Sequence, residues 1–121
     1  MTQDVDVFIE PVEANAVRTM RALKAIGYDA VDDVDVQTFL TKKVLLREYI
    51  LRTDIHPFVA GMTFEEAWAD RVETAIKELK VFVPSLDAAI RMKEAAGRPK
   101  DLLDLQVLRE IKRQQSKEKK P

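Results

Sequence analysis

Thr2-Gln3-Asp4-Val5-Asp6-Val7-Phe8-Ile9-Glu10-Pro11 is the stretch whose reading decides the fold. Alternation of polar and β-branched residues predicts a strand, and side chains alternate faces along a strand. Asp4 and Asp6 therefore share one face, roughly 7 Å apart along it. Val5, Val7 and Ile9 share the other and are expected in the core. A sheet can present carboxylates to a divalent metal in this way, and magnesium takes oxygen ligands, often one or two carboxylates plus substrate phosphates. The plain alternative is an exposed, solvated strand face.

Working outward, the next residues read as helix. Pro11 and Glu13 suit a helix start, Val17, Met20, Leu23 and Ile26 recur at helical spacing, and Gly27 is a good stop. Asp29 to Asp35 is an acidic turn, followed by a short helical turn near Val36–Leu40. Lys43–Arg47 and Tyr49–Ile55 predict a hairpin with Arg47-Glu48 as its tight connection. Thr63 with Glu66 forms a capping box ahead of a short helix. Arg71–Ile76 and Leu79–Val83 predict a second strand pair bent at Lys77-Glu78. Ser85 caps a helix closed by Gly97, and Pro99 opens the last helix, where its missing N–H costs nothing. Leu102, Leu105, Leu108 and Ile111 are expected to form that helix's apolar stripe.

The expected class is α/β (α+β): a mixed sheet of about four or five strands with flanking helices and two C-terminal helices. One domain over residues 1–111 is expected, with a basic tail at 112–121. A chain of 121 residues can build such a core, and 46% hydrophobic with 34% charged residues is a globular composition. The absence of cysteine excludes a disulfide framework and a thiolate zinc site. No apolar run approaches a membrane span, and acids stand where a signal peptide carries bases, so a cytoplasmic protein is expected. The net charge of -1 argues against a generic nucleic-acid binder. That charge is uneven, with eight acids and three bases in residues 1–35. The tail from Lys112 holds five bases and one acid, which reads as a solvated helix end or a weak phosphate-attracting segment.

Asp54 adds a third carboxylate. It lies on the second strand of the predicted hairpin, and if that strand pairs beside the first it joins Asp4 and Asp6. Two like charges about 4 Å apart repel by roughly 4 kcal/mol at an effective dielectric of 20. Three converging carboxylates therefore call for a cation or a raised pKa. Such a clamp serves phosphoryl and nucleotidyl transfer. His56, the only histidine, reads either as a turn or packing residue or as part of that site. Arg98, Lys100, Asp101 and Asp104 read equally as a salt-bridged helix start or as a site. Phe64 and Trp68, at four-residue spacing, read as packing.

With these residues in place, a family resemblance can be stated. The Thr2–Pro11 run, Glu13-Ala14-Asn15-Ala16, Arg52-Thr53-Asp54-Ile55, Gly61-Met62-Thr63-Phe64-Glu65-Glu66-Ala67-Trp68 and the Lys93–Leu105 segment with Gly97-Arg98-Pro99-Lys100-Asp101 resemble the small nucleotidyltransferases of the DNA polymerase β superfamily. The branch they resemble is the one related to bacterial type IV toxin–antitoxin toxins. The resemblance runs from Thr2 to about Ile111. It implies a metal-dependent transfer of a nucleoside monophosphate from an NTP to a hydroxyl on RNA, protein or a small molecule. It implies Mg2+ or Mn2+ held by Asp4, Asp6 and Asp54, with Asp54 helping to activate the attacking hydroxyl. Lys93 and Lys100 would contact nucleotide phosphates.

One departure stands beside the resemblance. Family members carry a further strand and a Gly-Gly or Gly-Ser turn ahead of the Asp-x-Asp strand, so that backbone N–H groups reach the triphosphate. Here the glycines are Gly27, Gly61 and Gly97, and Met1 stands three residues before Asp4. Impaired catalysis is therefore expected, or a non-catalytic interaction or regulatory module of the same fold. An unpaired first strand also predicts a homodimer.

Overall fold

The computed structural model describes residues 3–48 and 51–118. Contacts divide the chain into two compact units, Met1–Val59 and Ala60–Pro121. The class is mixed α and β, as expected. Among the described residues, five strands form two sheets, of three and two strands, where a single larger sheet was expected. Among the described residues, no helix is long and apolar enough to cross a membrane.

The first unit begins with β1 (Gln3–Phe8), followed by α1 (Glu13–Ala25), a 3-10 turn at Asp29–Asp33 and α2 (Val36–Thr41). Then come β2 (Val44–Glu48) and β3 (Leu51–His56). The spatial order is β1-β3-β2, with β3 parallel to β1 and antiparallel to β2. Parallel neighbours need a long crossover, and α1, α2 and β2 supply it. Arg47 and Glu48, expected in the connection, are strand residues opposite Arg52 and Leu51. Tyr49 and Ile50, expected at the start of the second strand, lie outside the described residues. Continued backbone pairing outweighs the turn tendency of the charged Arg47-Glu48 dipeptide.

The face of the sheet bearing Ile9, Val44, Leu46 and Ile55 meets Ala16 and Leu23 of α1, Tyr28, Val31, and Phe39 of α2 in one buried cluster. Burial grows along β1 toward α1. Val5, expected in the core, is 51% exposed, Val7 packs against the cluster, and Ile9 is buried. A polar pin crosses this core: the Tyr28 and Thr53 hydroxyls are hydrogen-bonded at 2.8 Å. Asp35 caps α2 by accepting from the Thr38 N–H at 2.8 Å.

The second unit holds α3 (Phe64–Ala69), β4 (Val72–Ile76), β5 (Leu79–Val83), α4 (Leu86–Ala96) and α5 (Pro99–Glu118). The capping box forms as read: Thr63 Oγ1 accepts from the Glu66 N–H, and the Glu66 carboxylate accepts from the Thr63 N–H. β4 and β5 pair antiparallel, and Lys77 takes a left-handed φ of 57° at the bend. Ser85 caps α4 by accepting from the Ala88 N–H at 3.0 Å, and Gly97 ends it at φ 63°. Gly61 is required by space, because a Cβ there would collide with the Ala95 methyl group on α4.

The apolar stripe of α5 differs from expectation. Leu105 is buried and Leu108 half-buried, but Leu102 and Ile111 are exposed. The stripe begins at Asp101, which is fully buried. α5 also continues through the basic segment to Glu118, and Lys119, Lys120 and Pro121 lie outside the described residues.

Candidate metal centre on the sheet face

Parallel register sets the site. Asp6 on β1 lies opposite Asp54 on β3, and Asp4 opposite Arg52. The antiparallel pairing adds Arg47 of β2 opposite Arg52. Period-two alternation puts Asp4, Asp6, Arg47, Arg52, Asp54 and His56 on the face away from the Tyr28–Phe39 core. The other face is occupied by Val44, Leu46 and Ile55, all buried, so the polar face has no alternative side to take.

The charges on this face are arranged in pairs. Arg47 donates to Asp54 Oδ1 at 2.7 Å, and Arg52 Nε lies 3.5 Å from Asp4 Oδ1. His56 Nε2 lies 2.9 Å from Asp6 Oδ1. Each arginine thus sits beside a carboxylate, which offsets the repulsion between two cations directly opposite each other across strands. Asp6 is 68% exposed, whereas Asp54 and His56 are 23% and 21% exposed. His56 is further fixed by its backbone, whose carbonyl accepts from the Ile9 N–H at 3.0 Å.

Asp6, Asp54 and His56 each bring one metal-ligating atom within 4.8 Å of the others. In an octahedral ion with bonds of about 2.1 Å, neighbouring ligand atoms are ~3 Å apart and opposite ones ~4.2 Å. The Asp6–His56 separation of 2.9 Å already matches the shorter spacing. Two carboxylates and an imidazole so grouped are a donor set that could hold a divalent cation.

The residues expected at the site are distributed as follows. Asp6 and Asp54 come together. Asp4 shares their face one pleat away, beside Arg52, and is not part of the three-residue group. Lys93 and Lys100 belong to the second unit. Lys93 Nζ is 3.0 Å from Asp104 Oδ2 and 3.3 Å from Asp101 Oδ1. Hydrogen bonding to Asp104 raises the Lys93 pKa, with Asp101 adding to the effect. Asp101 also accepts from the Arg98 guanidinium at 2.7 Å and the Arg98 backbone N–H at 3.1 Å. The Arg98 side chain first, then that N–H and Lys93, hold the Asp101 carboxyl down at about 2. Of the two open readings of this segment, a salt-bridged helix start accounts for these contacts. Lys100 is exposed in the first turn of α5.

Sequence reading gave His56 less weight than the geometry does. The signal was its place two residues after Asp54, which in a strand means the same face. Arg47 was hidden by its assignment to a turn. No family model matches the chain, and neither a curated protein nor a solved structure does.

Proposed function

We propose that the sheet face of the first unit is a divalent-metal centre serving nucleotidyl transfer, with Asp6 and Asp54 as metal ligands and Asp4 as the neighbouring carboxylate of the Asp-x-Asp pair. The observation that carries this reading is the direct pairing of Asp6 with Asp54 across β1 and β3 on an exposed face. The resemblance of the chain to nucleotidyltransferases supplies the reaction class: an NTP as donor and a hydroxyl on RNA or protein as acceptor. A divalent ion in such a centre stabilises charge on phosphoryl oxygens and lowers the pKa of a coordinated hydroxyl. The chain's own part is to hold the carboxylates. Arg47 fixes Asp54, Arg52 steadies Asp4, and burial of Ile55 and Ile9 beneath them keeps both strands in register.

Calorimetric titration with Mn2+ and Mg2+ tests the reading. Wild-type protein is expected to bind, and Asp6→Asn to bind at least about tenfold more weakly, since loss of even a supporting group around a metal costs 10- to 100-fold. Equal affinity in the two proteins would reduce the face to solvated carboxylates. Incorporation of labelled NTP into RNA or protein, lost in Asp54→Asn, is the corresponding assay for transfer.

A second reading is a non-catalytic homodimeric module. It is favoured by the position of β1, which among the described residues pairs on one side only, and by the half-exposed Val5 it carries. A concentration-dependent dimer in sedimentation, broken by Val5→Lys, would support it.

A further inference from the structure

We infer that His56 is the third ligand of this metal centre, so that the centre selects a transition ion of the manganese-to-zinc series over magnesium. The inference rests on the reading of Asp6 and Asp54 as ligands and adds the nitrogen donor that the carboxylate-only set lacks. Three features place His56 there. Its Nε2 is 2.9 Å from Asp6 Oδ1, and it belongs with Asp6 and Asp54 to the one group of ligand atoms within 4.8 Å found among the described residues. Its side chain is 21% exposed against 68% for Asp6, so the imidazole is the fixed member of the pair and the carboxylate the one that adjusts. Asp54 and His56 stand two residues apart on β3, on the same face, beside Asp6 on β1.

Asp4, by contrast, lies at the far end of the face, where Arg52 occupies its carboxylate at 3.5 Å. Asp54 keeps its contact with Arg47 through Oδ1 at 2.7 Å, and a carboxylate has a second oxygen to offer. Two carboxylates and one imidazole approach an ion from the sheet side and leave the solvent side open for water or a phosphate. Magnesium is a hard ion that takes oxygen ligands and parts reluctantly with its waters. Imidazole suits the later divalent ions, whose affinities for mixed nitrogen and oxygen sites rise along the series. His56 therefore shifts the choice of ion rather than merely adding a contact.

Because His56 is the only histidine, its ring protons give a single, assignable signal in the untagged chain. Co2+ is titrated into the full-length wild-type protein and those protons are followed by NMR. In parallel, Co2+, Zn2+ and Mg2+ affinities are measured by calorimetry for wild type, His56→Asn and Asp6→Asn. The His56 ring signals are expected to leave the diamagnetic region with saturation at one equivalent. His56→Asn is expected to weaken Co2+ and Zn2+ by about tenfold or more, with Mg2+ changed by less than about twofold, and Asp6→Asn to weaken all three. Ring signals that Co2+ does not move, or a His56→Asn protein with wild-type Co2+ affinity, would overturn the role of His56. If Asp6→Asn still loses binding in that case, the carboxylate reading stands without it. Wild-type affinity in Asp6→Asn would remove the metal centre and this inference together. The NMR measurement needs no variant, so a poorly folded substitution leaves the test intact.

Discussion

The two units use strands in opposite ways. In the first, a three-stranded sheet buries most of one face under α1 and α2, and the other face carries charge. In the second, β4 and β5 are exposed along almost their whole length, with Ile76 and Leu79 at 64% and 66% exposure. Their own sequences are no less apolar than those of the first sheet. What differs is the layer above them. A sheet face is buried only if another element packs on it, and in the first unit residues from α1, α2 and the segment between them supply that cover. The second unit is held instead by the α4–α5 pair, by the buried Leu105 and by the Asp101 ion cluster.

The sharpest test of this contrast pairs one residue from each unit. Phe39 is fully buried, and Phe39→Ala is expected to cost about 3–5 kcal/mol by denaturant unfolding. Leu79→Ala is expected to stay within about 0.5 kcal/mol, as for an exposed site. A Leu79→Ala cost near that of Phe39→Ala would show that something covers the hairpin in solution.

A smaller effect is expected at the polar pin of the first core. Tyr28→Phe removes one partner of a buried hydrogen bond and leaves the Thr53 hydroxyl without it. The expected loss is about 1–2 kcal/mol, and the double substitution Tyr28→Phe with Thr53→Val should recover part of it. No recovery would mean that Tyr28 acts through packing alone.

The last effect is confined to acid and to the second unit. The folded Asp101 carboxyl titrates at about 2, below its ordinary 3.8. A depressed carboxyl contributes stability that is fully present above about pH 4 and is lost as pH falls from there through about 2. Melting temperatures measured from pH 6 to pH 2.5 are expected to fall less steeply in Asp101→Asn than in wild type. Parallel curves would assign the acid sensitivity to other carboxylates.

Local features of both units were legible in the residues alone. Thr63 with Glu66, Ser85 and Gly97 mark helix ends through hydrogen bonds to neighbours three or four residues away, so their chemistry is carried within the segment that displays it. The alternation of β1 likewise assigns Asp4 and Asp6 to one face without reference to any other strand. The middle of the α5 stripe, Leu105 and Leu108, follows the apolar pattern, but at its start Asp101 is buried in place of Leu102, about a quarter-turn round the helix. Burial of Asp101 depends on Arg98 and Lys93 arriving together, and hydrophobicity cannot show that.

The site divides along the same line. That two aspartates share a face of β1 follows from a period of two, and that Asp54 and His56 share a face of β3 follows from the same period. Which strand lies beside which, in what direction and in what register is set by long-range pairing under the helices. A slip of one residue would turn Asp54 and His56 toward the core. Only the tertiary structure brings Asp6 opposite Asp54 and Nε2 of His56 to 2.9 Å from the Asp6 carboxylate. It also leaves Asp4 with Arg52 and splits five strands into two sheets, because packing partners distant in sequence decide both.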